Sequence, residues 1–302
     1  MRDQGAPREP YFKKSHACAV AVGSVQRMRS RHDKSDTGLN RYLREIGQIR
    51  DLHLWQIDVA DTGWDRVSDV LSLDEWETAD RFRTYKLRLY YRRCRSALRV
   101  LLSRYSPQNA ADIQFHYGEF GKPDMADRKL HFNLSHSENL GLVAISLHPV
   151  GIDLEFVNPL RIDMGLVNIL CHPVEKTSFL RLPPNERYAL FYQLWTKKEA
   201  YLKALGVGLQ RSLCALRLED LSPTVSQVYD EHPANDSSFF VYNIPSVFGY
   251  AASVCLPHSG ARISLFKIEP RKLMNPWSKA SLFTCLILLS GLFALTSGLS
   301  SQ

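Results

Sequence analysis

The sequence of 302 residues contains six cysteines but lacks any Cys-x-x-Cys pair and any cluster of cysteine with histidine. This absence argues against a zinc site or a disulfide framework and favours a reducing compartment. A convincing signal peptide is also missing, because the apolar stretch at residues 17–23 is at the lower limit for such a segment. The sequence therefore predicts a cytoplasmic protein.

Extremes of composition are missing as well. Hydrophobic residues make up 45% of the chain and charged residues 23%, which is ordinary for a globular protein. The chain is long enough to bury a sizeable core in one large domain or in two smaller ones. We find no convincing internal repeat.

The chain has an excess of positive charge, and this charge is unevenly distributed along the sequence. The net charge is +7. Residues 1–50 hold eleven Lys and Arg against five Asp and Glu, and residues 80–104 hold nine against Asp80 alone. Localised positive charge of this kind indicates either an anionic partner or a solvated face.

Four arginines in the second basic region recur at helical spacing and predict one cationic stripe; they are Arg88, Arg92, Arg95 and Arg99. The simplest interpretation is a solvated helix face. Nucleic acid is a less favoured partner, because the region has no interleaved aromatic platform and no recognised binding motif.

Periodicity predicts a mixture of strands and helices. Residues 52–59 alternate as a strand, and Ser72 with Glu75 forms a capping-box pattern at the start of a helix. Longer helices are predicted over 87–105 and 185–204. Two halves of similar size, each combining a sheet with helices, suggest an α+β pseudo-dimer with the active site in the cleft between its two subdomains.

The predicted divisions are a basic, disordered extension at 1–48, an N-terminal subdomain at 49–148, a C-terminal subdomain with the metal site at 149–270, and an apolar tail at 271–302. The last 23 residues of the tail are uncharged. That length could span a bilayer, but Ser, Thr and Gly dilute it. A membrane tail, a packed helix and a poorly ordered extension all remain open.

Two charged blocks about 40 residues apart are the most informative pattern. The segment 151–155, Gly-Ile-Asp-Leu-Glu, places Asp153 and Glu155 on one face of a strand. The segment 195–203 places Glu199 and Lys203 on one helix face, because they are four residues apart. Three converging carboxylates suit Mg²⁺, and a nearby lysine suits a phosphate. These residues by themselves predict phosphoryl-transfer chemistry.

Each block has a simpler interpretation when it is taken separately. An isolated Asp-x-Glu is more often a solvated strand end, and a Glu–Lys pair four apart is more often an exposed helix ion pair. Their occurrence together favours a site. Glycines at 206 and 208 predict the end of the helix just past Lys203, which places this lysine near the rim of a cleft.

Four blocks in this order resemble those of 4′-phosphopantetheinyl transferases, of the surfactin-synthetase-activating type rather than the shorter trimeric type. The blocks are Gly-Lys-Pro at 121–123, Phe-Asn-Leu-Ser-His-Ser at 132–137, the acidic strand at 151–155, and the helical block from Trp195 to Gly208. The resemblance covers roughly residues 50–270. The two ends of the chain match nothing in the family.

The resemblance implies an enzyme, a holo-[acyl-carrier-protein] synthase, which transfers the phosphopantetheine arm of coenzyme A to a carrier-protein serine and releases adenosine 3′,5′-bisphosphate. Asp153, Glu155 and Glu199 would hold Mg²⁺ against the pyrophosphate. Glu199 would also be placed to accept the serine proton. Lys203 would hold the pyrophosphate and steady the leaving group.

Coenzyme A, as co-substrate, would then bind between the two halves. The resemblance places its nucleotide side on Arg83, Lys86, Arg99, Lys122, Ser135 and His136. A satisfied structural histidine is the simpler interpretation of His136, and the resemblance makes it a ligand of the 3′-phosphate. Ser135 and His136 cannot form a catalytic pair with each other, because adjacent strand residues point to opposite faces.

The expected partner is an acidic apo acyl or peptidyl carrier protein, which the remaining arginines would steer towards a monomeric enzyme. One alternative is a non-catalytic protein that binds coenzyme A or a carrier on the same scaffold. It is disfavoured because all three acids are present. The other alternative, a basic nucleic-acid-binding protein, would show salt-dependent DNA binding without binding coenzyme A.

Overall fold

The computed structural model describes residues 52–126, 129–219, 221, 224–230, 238–245, 248–273 and 285–288. The predicted basic extension at 1–48 lies outside these residues, and so does most of the predicted tail. Helices and strands are mixed throughout the described ranges, so the predicted α+β class is confirmed.

The α-helices of the described ranges are α1 (Leu73–Asp80), α2 (Tyr85–Leu102), α3 (Met164–Leu170), α4 (Pro173–Arg181), α5 (Pro184–Leu205) and α6 (Pro270–Leu273). The predicted capping box is present at α1, where the amide of Ser72 donates to Glu75 Oε2 at 3.1 Å. Helix α2 begins earlier than predicted, because Thr84 caps it by accepting from the amide of Leu87. Helix α5 ends at Gly206, whose φ of 71° is the left-handed conformation that glycine favours.

The strands are β1 (Leu52–Asp58), β2 (Phe115–Tyr117), β3 (Pro123–Met125), β4 (His131–Ser137), β5 (Leu140–Ser146), β6 (Gly151–Phe156), β7 (Leu216–Leu218), β8 (Val225–Asp230), β9 (Phe239–Asn243), β10 (Tyr250–Leu256), β11 (Arg262–Ile268) and β12 (Cys285–Leu288). They form one sheet in the order β12-β11-β1-β5-β4, a second in the order β6-β10-β9-β8-β7, and a hairpin of β2 and β3.

Strand β11 is shared between the two ends of the sequence. It pairs in parallel with β1, from Leu52 opposite Ile263 to Ile57 opposite Ile268. Residues 262–268, which were assigned to the C-terminal subdomain by sequence, therefore lie in the first sheet. The neighbouring β12 pairs with β11 at the edge of that sheet, so a packed helix is wrong for Cys285–Leu288.

No helix in the described part of the chain is long and apolar enough to cross a membrane.

The first sheet is buried on both faces. Trp55 and Ile57 of β1 pack in one cluster with Leu98 of α2, while Leu52 and Leu54 pack in another with Ile152 of β6. This alternation follows from the two-residue period of a strand. The second cluster draws residues from both sheets, so the two halves share a hydrophobic core.

Side chains of β4 also join the sheets directly. Asn133 Oδ1 accepts from the amide of Ile152 at 2.8 Å, Ser135 Oγ from Leu154 at 3.2 Å, and Ser137 Oγ from Phe156 at 3.0 Å. These three residues alternate along β4, and their partners alternate along β6 in the same direction. We call this row of bonds the seam. It ties the edge of the first sheet to the edge strand that carries the acids.

Candidate active site

Strand β6 and helix α5 bring the two acidic blocks of the sequence together. Asp153 and Glu155 alternate along β6, opposite Ser253 and Ala251 of β10. Helix α5 lies directly against this strand at Gly151. A Cβ atom added to Gly151 would lie 2.0 Å from the carbonyl oxygen of Ala200 and 2.2 Å from the amide of Ala204. Only glycine permits this approach, which places the Glu199–Lys203 turn of α5 beside the acids.

Lys203 supplies positive charge to the acids. Its Nζ lies 2.5 Å from Oδ1 of Asp153 and 3.3 Å from Oγ of Ser135. The Asp153 side chain is 4% exposed and that of Lys203 is 31% exposed. The second carboxylate oxygen of Asp153, Oδ2, is buried and has no hydrogen-bond partner among the described residues. A buried carboxylate oxygen of this kind is costly unless another group binds it.

The pKa values of Glu155 and Glu199 are both raised, first by burial and then by the charge of Asp153. Burial, followed by the charge of Asp153, raises the pKa of Glu155 to about 7, and Glu199 adds a smaller upward effect. Burial and Asp153 also raise the pKa of Glu199, which Lys203 opposes. The ammonium of Lys203 thus interacts with all three acids, and the net charge of these four side chains is negative when the acids are ionised. A cation placed among them would relieve this repulsion.

The donor set fits a hard divalent cation. Carboxylate oxygens are the ligands that Mg²⁺ prefers, and Oδ2 of Asp153 has no other partner. The described residues nevertheless contain no group of three or more Asp, Glu, His or Cys side chains already at metal-binding spacing. The acids therefore fit the cation by chemistry and charge, but the described side chains do not form a preorganised coordination site.

Ser135 and His136 lie on opposite faces of β4, as their adjacency predicts. Ser135 is buried, donates to Oδ1 of Asp153 at 3.1 Å and accepts from the amide of Leu154. His136 is partly exposed on the other face of β4. Desolvation of its ring, followed by the nearby ammonium of Lys203, lowers the pKa of His136. The structure thus brings Ser135 to Asp153 and His136 to the neighbourhood of Lys203.

Lys122 lies on the other side of α5. Its Nζ donates to the carbonyls of Val150 and Ala204, at 3.1 and 3.0 Å, and so ties the β2–β3 hairpin to the end of α5. Burial lowers the pKa of Lys122 to about 8. The lysine also lines a cavity of about 660 Å³. Other residues lining this cavity are His116, Phe120, Phe132, Pro149 and Val207.

Two basic residues predicted for coenzyme A remain on the surface. Arg83 is exposed at the start of α2. Lys86 is exposed and pairs with Glu138 at 3.2 Å, and this pairing raises the pKa of Lys86. Glu138 follows Ser137 in the turn after β4, so Lys86 lies close to the site.

Arg99 is different, and its predicted contact with coenzyme A requires correction. Its side chain is 2% exposed, and its Nε donates to Glu75 Oε2 at 2.5 Å. Its Nη1 donates to the carbonyls of Ala110 and Ile113. The interpretation of this helix face as solvated is wrong at Arg99 and Arg95, because Arg95 is also buried and bonds to Glu75. A buried acid from α1 draws both arginines inward, so we remove Arg99 from the proposed ligand set.

The sequence analysis gave no role to Asn133 and Ser137, which flank Ser135 in the same block. Both accept amides of β6 in the seam, and Ser137 also donates to Oε2 of Glu155 at 3.3 Å. The two-residue spacing of Asn133, Ser135 and Ser137 was the signal that could have revealed a shared face.

The family model of the 4′-phosphopantetheinyl transferase superfamily matches residues 149–255, the range that holds all three acids and Lys203. The 4′-phosphopantetheinyl transferase HetI from a Nostoc species is 35% identical over 168 residues, which are 53% of this chain and 71% of that protein. The chain belongs to this superfamily.

Two other 4′-phosphopantetheinyl transferases are also similar in sequence to this chain. The transferase gsp of Aneurinibacillus migulanus is 32% identical over 166 residues, 54% of this chain and 67% of its own. Sfp of Bacillus subtilis is 30% identical over 165 residues, 53% of this chain and 70% of its own. The predicted superfamily, of the surfactin-synthetase-activating type, is confirmed. This chain is an enzyme of the 4′-phosphopantetheinyl transferase type.

Proposed function

We propose that this chain transfers the phosphopantetheine arm of coenzyme A to a serine hydroxyl of an apo carrier protein, with Mg²⁺ held by Asp153, Glu155 and Glu199. One observation carries the proposal: in the part of the chain that the structure describes, Lys203 is the ammonium that acts on all three acids, and Oδ2 of Asp153 has no hydrogen-bond partner. A bound divalent cation would neutralise the negative charge of the pyrophosphate.

The bond changes assign a task to each residue. The serine oxygen forms a bond to the β-phosphorus, the bond from that phosphorus to the bridging oxygen breaks, and adenosine 3′,5′-bisphosphate leaves. Glu199 accepts the serine proton. Burial and Asp153 raise the pKa of Glu199, and a raised pKa suits a general base.

Lys203 and its neighbours hold the phosphates in this proposal. The side chain of Lys203 is 31% exposed, so its ammonium can donate to a pyrophosphate oxygen and stabilise the leaving group. His136 is exposed beside it and contacts a phosphate. Lys86 and Arg83 extend this positive rim, while Ser135 keeps Asp153 in place.

The nucleotide side of coenzyme A is proposed to lie towards Lys122 and its cavity. That cavity is lined by the β2–β3 hairpin and by the end of α5, so it draws on both halves of the chain. We propose that the two halves form the pseudo-dimer, divided near residue 149, with coenzyme A in the cleft between them. The carrier is proposed to be acidic and the enzyme monomeric.

The test is to incubate the full chain with an apo carrier protein, coenzyme A and Mg²⁺, and to measure the intact mass of the carrier. We expect the carrier to gain one phosphopantetheine, and we expect a chelator to prevent the gain. Carriers from fatty-acid, polyketide and peptide pathways are tested in parallel. If none of them is modified, the transferase proposal is wrong, and retained binding of coenzyme A would then favour the non-catalytic alternative.

Asp153→Asn and Glu199→Gln test the metal assignment, because each removes charge while preserving shape. We expect transfer rates to fall by about 10²–10³-fold, the usual effect of removing one electrostatic contact from a transition state. Glu77→Gln, an exposed acid of α1, is the control and should leave the rate unchanged. Unchanged turnover in both site variants would refute the assignment.

A further inference from the structure

Each acid of β6 is bonded by a serine of β4. Ser135 donates to Oδ1 of Asp153 at 3.1 Å, and Ser137 donates to Oε2 of Glu155 at 3.3 Å. The sequence offsets are identical, since each serine reaches the acid that lies 18 residues further along the chain. The seam therefore touches the site at two successive positions.

The chemistry of a hydroxyl makes this arrangement directional. A serine hydroxyl has one proton to donate and lone pairs with which to accept. In Ser137 a lone pair accepts the amide of Phe156 at 3.0 Å, so the single proton is directed to Glu155. Ser137 is thus anchored by the backbone of β6 while it orients a side chain of the same strand.

Asn133 provides an internal comparison. It occupies the first position of the same row and accepts the amide of Ile152 at 2.8 Å. The residue that lies 18 positions after Asn133 is Gly151, and glycine has no carboxylate to accept a hydrogen bond. Asn133 therefore makes a seam bond without contacting an acid, whereas Ser137 makes both contacts.

We propose, on the basis of the proposed function, that Ser137 is a positioning residue that holds Glu155 in the orientation needed to bind the divalent cation. Glu155 is half-buried near the end of β6, whereas Asp153 two residues earlier on the same face is buried. Groups that hydrogen-bond metal ligands restrict their rotamers and commonly change metal affinity by 10–100-fold when they are removed.

The experiment measures cation binding by the full chain without coenzyme A or carrier, by titration calorimetry with Mg²⁺ and with Mn²⁺ as a second probe. We expect Ser137→Ala to weaken affinity by about tenfold, the lower end of the usual range, because the contact is long. Ser137→Thr keeps the hydroxyl and should restore most of the affinity. Urea unfolding without metal should be similar for both variants and the parent chain.

Asn133→Ala is the matched control. It removes a buried seam bond without touching an acid, so it should lower the urea midpoint while cation affinity stays within about twofold of the parent. In transfer assays Ser137→Ala should raise the Mg²⁺ concentration that gives half of the maximal rate, because the proposed defect lies in the metal site.

Failure of this inference can be distinguished from failure of the proposed function. If the parent chain binds the cation and modifies a carrier while Ser137→Ala binds the cation equally well, Ser137 belongs only to the seam. If Ser137→Ala and Asn133→Ala lose affinity equally, the effect comes from the joint between the sheets and the inference is wrong. If the parent chain binds no divalent cation, the metal assignment and this inference fail together.

Discussion

A single buried acid, Glu75, and the three acids of the candidate site differ in how their charge is balanced. Glu75 of α1 is one carboxylate between two guanidinium groups, with Arg95 at 2.6 Å and Arg99 at 2.5 Å. The acids of β6 and α5 are three carboxylates that share Lys203, and one oxygen of Asp153 has no hydrogen-bond partner. The first group has surplus positive charge, and the second lacks it.

This difference distinguishes an acid with a structural role from acids that we propose bind a cation. Both oxygens of Glu75 accept from arginines, and one also accepts the amide of Ser72, so nothing further is needed. Burial, followed by the charge of Asp153, raises the pKa of Glu155 and of Glu199. Shifts of this kind are typical of functional sites.

The largest expected effect comes from breaking the balanced group. Glu75→Gln keeps the size of the side chain but leaves two buried guanidinium groups without a counter-charge. We expect a loss of about 3–5 kcal/mol in the free energy of unfolding, measured by urea denaturation. Glu77→Gln on the exposed side of the same helix should change it by less than about 0.5 kcal/mol. Similar losses of unfolding free energy in the two variants would show that Glu75 is not needed to compensate the charge of the two arginines.

A smaller loss is expected from separating the strand and the helix that carry the unbalanced group. Gly151→Ala places a Cβ within 2.0–2.8 Å of backbone atoms of α5, which cannot move aside like a side chain. We expect a destabilisation of about 3 kcal/mol by urea denaturation, the upper part of the range for overpacking. Transfer activity should fall as well, because Glu199 and Lys203 move away from Asp153.

Gly118→Ala is the control for that substitution, since its nearest contact would be 3.8 Å from a carbonyl oxygen. It should be nearly neutral for stability. Equal destabilisation by the two substitutions would contradict the close approach at Gly151.

The smallest effect is a gain in stability. Because the pKa of Glu155 is raised to about 7 in the folded chain, its contribution to stability is fully present below the unfolded value near 4.5 and is lost as pH rises through about 7. Glu155→Gln removes this penalty. At pH 8 without metal we expect the variant to be more stable by about 1 kcal/mol, after allowance for solvent screening.

The thermal unfolding midpoints of the two proteins should converge when pH is lowered towards 4.5. Adding Mg²⁺ at pH 8 should stabilise the parent chain more than the variant, because a ligand that binds only the folded state raises its stability. A variant that is less stable than its parent at pH 8 would contradict the excess of negative charge.

Local signals predicted the elements of the site well. The acids of β6 and the turn of α5 follow from two-residue and four-residue spacing, and Gly206 gave the end of α5 within one residue. Alternation does not predict strand β8, because its core side carries Ser226, whose Oγ accepts from the buried Nζ of Lys197. A polar residue on a core face conceals the alternation of a strand.

Distant partners could not be inferred from spacing. The capping role of Glu75 was readable three residues away, but its arginines lie 20 and 24 residues further along. The sequence shows that Arg99 is positively charged, but only the fold shows that it forms an ion pair with the buried Glu75. The sequence division at residue 149 likewise gave no indication that β11 returns to the first sheet.

That return of β11 has a consequence for how the chain folds. Between β1 and its parallel neighbour lie about 200 residues, so the entire second sheet acts as the crossover connection. Closing so long a loop is slow, and during synthesis one edge of β1 stays unpaired until residues 262–268 emerge from the ribosome. A fragment ending before them would present an open strand edge to other chains, and aggregation rather than a stable half-enzyme is its expected fate.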